Sequence, residues 1–235
     1  MRLAILDLST PTPTFADTAT AAALTESWLA PHLPEAEFVG IDVSGGAPPP
    51  AAAAYDGYLL TGSEKGVYDD APWIAPLKAF LRELRDANRP VFGICFGHQI
   101  MAEAYGGRAA KADKGFVIGV RGYETPDGAP IDAHAMHQDQ VISVPPGARV
   151  TAASAYCPVA ALDYDFPARS VQFHPEFSTA LVNDAIEVFE GDVITPDEAA
   201  EGRASMTKGE APPDLYGAEV AAFFRSAIGA RAEAG

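Results

Sequence analysis

Apolar residues recur along the first half of the chain with two spacings, which predict buried strands alternating with amphipathic helices. Short apolar runs bounded by Gly, Pro and polar residues predict strands at 3–8, 38–43, 55–61 and 90–94. Spacings of three and four residues predict helices at 16–29, 73–88 and 96–105. Strands and helices that alternate in this way are typical of a mostly parallel sheet.

The pattern changes in the second half of the chain. Between residues 111 and 173, short strands are separated by turn signals such as Thr125-Pro126-Asp127-Gly128. Helices return after Ser178 and at 215–235. We therefore expect one α/β domain over 1–235, with helices on both faces of a mostly parallel sheet and an added antiparallel edge. The polar, acidic stretch 191–214 is expected to be a loop or lid excursion.

Charge narrows the range of partners. The 235 residues include 16 Lys and Arg against 32 Asp and Glu, which gives a formal charge of −16. Nucleic acid and anionic membranes attract surfaces that are rich in Lys and Arg, because their phosphates are negatively charged. We therefore expect no nucleic acid and no membrane as a partner.

The cysteine count and the apolar runs indicate the compartment. Cys95 and Cys157 are too few for a disulfide framework, so a reducing cytosol is the expected environment. Only a handful of apolar residues precede Asp7, fewer than a signal peptide contains. No apolar run in the sequence approaches the roughly 20 residues that cross a bilayer. We expect a cytoplasmic protein.

One cysteine lies at a junction with recognisable chemistry. The run Gly93-Ile94-Cys95-Phe96-Gly97 places Cys95 where a buried strand leads directly into a helix, the arrangement of a nucleophile elbow with Cys in place of Ser. Glycines on both sides allow a sharp turn without Cβ clashes. The first N–H groups of the helix can hold a developing oxyanion and favour a thiolate. Cys95 is the candidate nucleophile, and Cys157 is interpreted as structural.

A cysteine nucleophile needs a base and a group that orients the base. The run Val171-Gln172-Phe173-His174-Pro175-Glu176 ends a predicted strand. His174 and Glu176 are two residues apart in an extended segment, so their side chains project to the same side. His-Pro-Glu by itself can be an ordinary polar strand end. Together with the Cys95 motif, it predicts a catalytic site.

The two motifs together resemble the class I, or triad, glutamine amidotransferase family. The resemblance covers about residues 55–177. Leu60-Thr61-Gly62-Ser63 and Val67-Tyr68-Asp69-Asp70-Ala71-Pro72 are similar to the oxyanion loop of the glutaminase domain of GMP synthetase. His137-Gln138-Asp139-Gln140-Val141 is similar to that domain's Ser-His-Gly-Asp segment. The resemblance implies a flavodoxin-like fold that releases ammonia from glutamine through a γ-glutamyl thioester, with no cofactor.

The resemblance also implies a role for each catalytic residue. Cys95 would be the nucleophile, His174 the general base and acid, and Glu176 the carboxylate that orients the imidazole. The oxyanion hole would be formed by the amide of Phe96 and one amide from Gly62 or Ser63. The family's oxyanion loop usually reads Gly-Gly-Pro, whereas this chain has Gly62-Ser63-Glu64.

Three residues are implied to contact the bound substrate. Gln99 lies one helical turn after the nucleophile and would contact the glutamine, and the backbone at Gln138 and Asp139 would hold its α-amino and carboxylate groups. Gln138 stands where the related domain has Gly. The spacing of His134, His137 and Asp139 would allow a metal site, but the resemblance explains this segment without a metal, and we expect none.

Three functions fit a chain in which no nucleotide-binding glycine loop occurs. The first is an ammonia-supplying glutaminase subunit that docks on a separate synthetase. The second is a stand-alone hydrolase of γ-glutamyl amides or peptides, and the third is a regulatory module without turnover. The complete Cys-His-Glu set disfavours the third. We favour hydrolysis of the γ-glutamyl amide of glutamine, or of a γ-glutamyl compound, and leave the final acceptor open.

Overall fold

A seven-stranded sheet carries the architecture in the computed structural model, which describes residues 1–10, 20–209, 211–212 and 214–234. Its strands are β1 (Arg2–Asp7), β2 (Glu37–Asp42), β3 (Gly57–Leu60), β4 (Val91–Ile94), β9 (Ala148–Ala152), β10 (Ala161–Tyr164) and β11 (Ala168–Val171). Their order is β2-β1-β3-β4-β11-β10-β9. The first five strands in this order are parallel, and β10 and β9 continue the sheet antiparallel. The expected parallel sheet with an antiparallel edge is confirmed.

Helices cover both faces of this sheet. They are α1 (Ala21–Leu29), α2 (Ile74–Asp86), α3 (Phe96–Ala104), α4 (Thr179–Phe189), α5 (Pro196–Lys208) and α6 (Gly217–Ala234). Alternate residues of β1 enter opposite cores, as the period of two in a strand requires. Leu3 and Ile5 pack with α1 and α6, whereas Ala4 and Leu6 pack with α2 and α3. The sheet therefore lies between two apolar layers.

Two smaller ladders add to the central sheet. Strands β6 (Val117–Glu124) and β7 (Pro130–His137) form an antiparallel hairpin, and β5 (Arg108–Lys111) pairs antiparallel with β8 (Asp139–Ser143). The hairpin contacts the segment that carries His174 through a bridge in which the N–H of His174 donates to the carbonyl of His134 at 2.8 Å. The strand cluster expected between residues 111 and 173 is thus divided among three sheets.

The stretch 191–214, expected to be a loop or lid excursion, instead contains α5. Its start carries a capping box, in which the Thr195 hydroxyl accepts the N–H of Glu198 and the Glu198 carboxylate accepts the N–H of Thr195. Glu198 also accepts the N–H of Phe116 at 2.7 Å, and Ser205 accepts that of Val120 at 3.0 Å. These bonds satisfy donors on the free edge of the β6–β7 hairpin, so α5 is part of the packed structure.

The other predicted elements differ from the observed ones mainly at their ends. The helix expected at 16–29 begins at Ala21, and residues 16–19 lie outside the described residues. The Thr20 hydroxyl caps α1 by accepting the N–H of Ala23. The helix expected at 215–235 is α6. Among the described helices, none combines the length and the apolar character needed to cross a membrane.

Candidate active site

Cys95 lies between the last residue of β4 and the first residue of α3. Its backbone has φ +52° and ψ −103°, a conformation that residues with a Cβ rarely adopt. Its N–H donates to the carbonyl of Val171 at 2.8 Å, which ties the junction to β11. The thiol is thereby held at the carboxyl end of the parallel strands and at the N-terminus of α3, where the N–H of Gly97 donates to the carbonyl of Thr61 at 3.2 Å.

The two glycines that flank Cys95 permit close packing between strand and helix. A Cβ on Gly93 would lie 2.7 Å from the carbonyl carbon of Gly97, and a Cβ on Gly97 would lie 2.7 Å from the carbonyl oxygen of Leu60. Both distances are shorter than a real Cβ contact allows. The positive φ of the turn belongs to Cys95 itself. The two glycines have a different role, since their lack of a Cβ lets α3 lie directly against β3 and β4.

His174 and Glu176 form a buried pair next to Cys95. The Nδ1 atom of His174 lies 2.7 Å from Oε1 of Glu176, so its other nitrogen, Nε2, is free to face the sulfur. The imidazole lies beside Cys95, since a Cβ on Gly62 would be 3.9 Å from Nε2 of His174 and 3.7 Å from Cβ of Cys95, while the Cys95 thiol donates to the carbonyl of Met136 at 3.9 Å. Burial by itself would lower the pKa of His174, but the charges of Glu176 and Cys95 and the hydrogen bond to Glu176 raise it above its ordinary value. This environment favours an imidazolium at His174.

Two neighbours fix the position of the His174 ring. Phe177 stacks on it with a centroid distance of 3.9 Å and an interplanar angle of 8°. On the side of the sulfur, a Cβ on Gly62 would lie 3.1 Å from Cε1 of His174 and 3.7 Å from Cβ of Cys95. The structure thus brings Gly62, Cys95 and His174 together at one point.

The loop that follows β3 is held by side chains on both sides of Gly62. The Thr61 hydroxyl accepts the N–H of Leu8 at 2.9 Å and donates to the carbonyl of Gly62 at 3.0 Å. The Gly62–Ser63 peptide is trans, so the N–H of Ser63 points away from that bonded carbonyl. Glu64 accepts both the N–H and the hydroxyl of Thr10, at 3.1 Å and 2.6 Å. Glu64, which stands where the resembled family usually has proline, therefore anchors the loop to the segment that follows β1.

A chain of buried amides connects the predicted substrate contacts to Cys95. The Nε2 group of Gln99 donates to the carbonyl of Asp139 at 3.0 Å and to Oε1 of Gln172 at 3.2 Å. The Nε2 group of Gln172 donates to the Cys95 sulfur at 3.6 Å. Gln172 was not among the predicted site residues, although its position two residues before His174 is a signal for the same side of the segment. The carbonyl of Gln138 accepts the N–H of Ala112 at 3.1 Å.

The remaining histidines near the site are held by the protein itself. Nε2 of His98 lies 3.1 Å from the carbonyl of Val159 and Nδ1 lies 2.8 Å from the Ser170 hydroxyl, and burial lowers its pKa to about 4. Burial also lowers the pKa of His137 to about 3, and its Nδ1 donates to the carbonyl of Asp139 at 3.1 Å. Within the described ranges, no group of three His, Cys, Asp or Glu side chains could hold a metal ion.

The second cysteine has a different environment. Cys157 is fully buried, and burial raises the pKa of its thiol to about 12. Its N–H donates to the Ser154 hydroxyl at 3.0 Å. A thiol in this environment is unreactive at neutral pH, which makes Cys157 a natural internal control for Cys95.

Comparison with known proteins extends this picture. The family model for class-I glutamine amidotransferases matches residues 40–187. γ-Glutamyl peptidase 4 of Arabidopsis thaliana is 33% identical over 171 residues, which are 67% of this chain and 68% of the relative. One subunit of the glutamine-hydrolysing GMP synthase of Halobacterium salinarum is 31% identical over 166 residues, which are 66% of this chain and 84% of the relative.

Solved structures share the fold. The crystal structure of a glutamine amidotransferase from Methylobacillus flagellatus superimposes with a TM-score of 0.73 at 20% identity, over 96% of this chain and 94% of the other. A glutamine amidotransferase from Thermotoga maritima gives a TM-score of 0.69 at 16% identity, over 98% of this chain and 96% of the other. From the family match and the similarity to these relatives, we conclude that the chain belongs to the class-I glutamine amidotransferase family.

Proposed function

We propose that this protein hydrolyses the γ-glutamyl amide bond of glutamine or of a γ-glutamyl peptide through a thioester on Cys95. The observation that carries the proposal is that His174, hydrogen-bonded to Glu176, lies beside Cys95, with the cysteine at a strand–helix junction. Names among the relatives support both donors, since one is a γ-glutamyl peptidase and another belongs to a glutamine-hydrolysing synthase.

The first half of the reaction forms the thioester. Nε2 of His174 takes the thiol proton, and the Cys95 sulfur attacks the γ-carbonyl carbon of the substrate. The carbonyl oxygen becomes an oxyanion, which the amides of Phe96 and of Gly62 or Ser63 would stabilise. When the tetrahedral intermediate collapses, the C–N bond breaks, and His174 gives its proton to the departing ammonia or amine. Glu176 stabilises the imidazolium throughout.

The second half releases glutamate. A water molecule gives a proton to His174 and attacks the thioester carbonyl, and a second oxyanion forms in the same place. The C–S bond then breaks, and the proton returns from His174 to the sulfur. In each half of the reaction, the same base gains one proton and then gives it up. One imidazole that lies between a carboxylate and Cys95 fits this requirement.

Substrate contacts follow from the amide chain. Both N–H groups of the Gln99 side chain are donated to protein acceptors, so its Oε1 remains as an acceptor for the α-ammonium of a γ-glutamyl group. The backbone N–H groups at Gln138 and Asp139 would bind the α-carboxylate. This arrangement requires a free α-amino acid end and leaves the leaving group unspecified.

A second candidate is an ammonia-supplying subunit for a separate synthetase. It is favoured by the similarity to the Halobacterium salinarum GMP synthase chain, of which the match covers 84%. Such a protein would be slow on glutamine alone and accelerated by its synthetase. A stand-alone hydrolase would act alone and accept leaving groups larger than ammonia.

The test is a turnover assay of the full chain on glutamine and on a panel of γ-glutamyl dipeptides, with α-glutamyl dipeptides as controls. We expect hydrolysis of γ-linked donors only, lost in Cys95→Ala and retained in Cys157→Ala. Fast turnover of peptides would favour the stand-alone hydrolase, and turnover of glutamine only after a synthetase is added would favour the ammonia-supplying role. Equal activity of Cys95→Ala and wild type would overturn the proposal.

A further inference from the structure

Gln172 is a buried amide in direct contact with the reacting sulfur. It directly follows β11, its side chain is fully buried, and its backbone N–H donates to the carbonyl of Ala160 at 2.8 Å. Phe173, the next residue, packs into the apolar layer that also contains residues of α1 and α6. Gln172 contacts the Cys95 sulfur and His174 lies beside the same residue, although only the histidine has a part in the reaction described above.

The direction of the Gln172 amide is decided by a backbone carbonyl. The carbonyl of Asp139 can only accept hydrogen bonds, so the group of Gln99 that faces it must be the NH₂ group. The same NH₂ group faces Gln172, which must therefore present its oxygen to Gln99. The NH₂ group of Gln172 is then left to face the sulfur, 3.6 Å away. Reversal of either amide would place two acceptors or two donors against each other.

We propose that Gln172 is a further catalytic residue, which donates an N–H hydrogen bond to the Cys95 sulfur and stabilises its negative charge before attack. A buried donor is effective here because few water molecules compete for the sulfur. His174 lies beside the same residue and is the base that would take the thiol proton. Unlike His174, the Gln172 amide exchanges no proton with the sulfur. Gln172 can therefore only stabilise negative charge on the sulfur and orient the sulfur.

The test measures the reactivity of the Cys95 thiol in the absence of substrate. In a Cys157→Ala background, the rate of alkylation of Cys95 by iodoacetamide is followed from neutral to high pH. Gln172→Met keeps an unbranched side chain and removes the donor, and Gln172→Glu keeps the acceptor for Gln99 but turns an oxygen toward the sulfur. Gln140→Met removes another buried amide, which lies on β8, and serves as the matched control. Circular dichroism and the unfolding midpoint show which variants are folded.

We expect alkylation at pH 7 to slow by at least about fivefold in both Gln172 variants and to change little in Gln140→Met. For Gln172→Met, the difference from wild type should disappear at high pH, where a thiol is ionised without help. A merely structural role would lower the rate at every pH. Wild-type alkylation rates at pH 7 in a folded Gln172 variant would overturn the proposal.

This inference deepens the proposed function and rests on Cys95 as its nucleophile, but the two can fail separately. Absence of turnover on every γ-glutamyl donor would remove the proposed function and leave the alkylation result standing. If turnover is present, Gln172→Met should lower kcat by at least about fivefold and leave KM nearly unchanged, because the donor acts on the sulfur rather than on the substrate.

Discussion

Nδ1 of His174 lies 2.7 Å from Oε1 of Glu176, although only Pro175 separates the two residues in the chain. Their side chains are both almost fully buried, so the pair has little access to water. A buried imidazole would by itself be neutral, and the carboxylate is the largest of the effects that oppose this. The charge state of the candidate base is therefore controlled by a residue two positions away.

Glu176→Gln tests this control. We expect the pKa of His174 to fall below the ordinary value of a histidine, because burial then acts with only the Cys95 sulfur to oppose it. Cys95→Ala should lower the same pKa by less. NMR titration of the His174 ring protons measures both shifts, with Glu83→Gln, on the exposed side of α2, as the control. An unchanged His174 titration in Glu176→Gln would contradict the account.

Thr61→Val tests the anchoring of the loop at Gly62. Valine keeps the shape of threonine but loses the hydroxyl that joins the N–H of Leu8 to the carbonyl of Gly62. With the peptide free to rotate, we expect kcat on a γ-glutamyl donor to fall on the order of tenfold, with KM little changed. Thr61→Ser retains the hydroxyl and should keep most of the activity. Steady-state kinetics measure kcat and KM of both variants. An equal loss of kcat in Thr61→Val and Thr61→Ser would refute the role of the Thr61 hydroxyl in positioning the loop.

Acid stability should depend on His98. The unfolded chain binds a proton at this side chain below pH about 6.5, whereas the folded protein does so only near pH 4. Neutral His98 therefore contributes fully to the free energy of unfolding above pH 6.5. This contribution decreases as the pH falls, by about 2 kcal/mol at pH 5. In His98→Gln, the difference in free energy of unfolding between pH 7 and pH 5 should shrink by that amount. Urea titrations at both pH values measure it, and an unchanged difference would show that His98 is not buried and neutral.

The packing of α5 depends on Gly202. A Cβ there would lie 2.9 Å from Cγ2 of Ile118, on β6. Gly202→Ala should lower the free energy of unfolding by about 1–3 kcal/mol, because the helix must move away from the strand. Gly229→Ala is the matched control, since nothing lies within 4 Å of its added Cβ and alanine favours a helix. Urea unfolding compares the two, and equal effects would contradict the close approach of α5 to β6.

Much of the fold could be predicted, because its main strands and helices follow simple apolar periods. The exception is α5, whose buried residues are the small Ala199 and Gly202. Small residues at a close approach leave no periodic signal of large apolar side chains, and the polar, acidic composition of 191–214 predicts a loop. The contact with Ile118 that stabilises α5 joins segments more than eighty residues apart.

The site could be predicted only in part for a similar reason. Cys95, His174 and Glu176 belong to two short motifs, and the position of each motif at a strand end follows from the local pattern. The role of Gln172 depends on the direction of its amide, which is decided by the carbonyl of Asp139 through Gln99. No local pattern contains that information. The positioning effect of the Thr61 hydroxyl likewise depends on its hydrogen bond with the N–H of Leu8, which lies after β1 and far from Thr61 in the sequence.

The central claim is that Cys95 carries the γ-glutamyl group, and mass spectrometry tests it most directly. The protein is mixed with a γ-glutamyl dipeptide, quenched in acid within the first turnovers, and digested. We expect the peptide that contains Cys95 to gain the mass of one glutamyl group in wild type and in Cys157→Ala. The adduct should be absent in Cys95→Ala and with an α-glutamyl dipeptide. Turnover of the γ-glutamyl donor by Cys95→Ala, or an adduct on any other residue, would contradict the account.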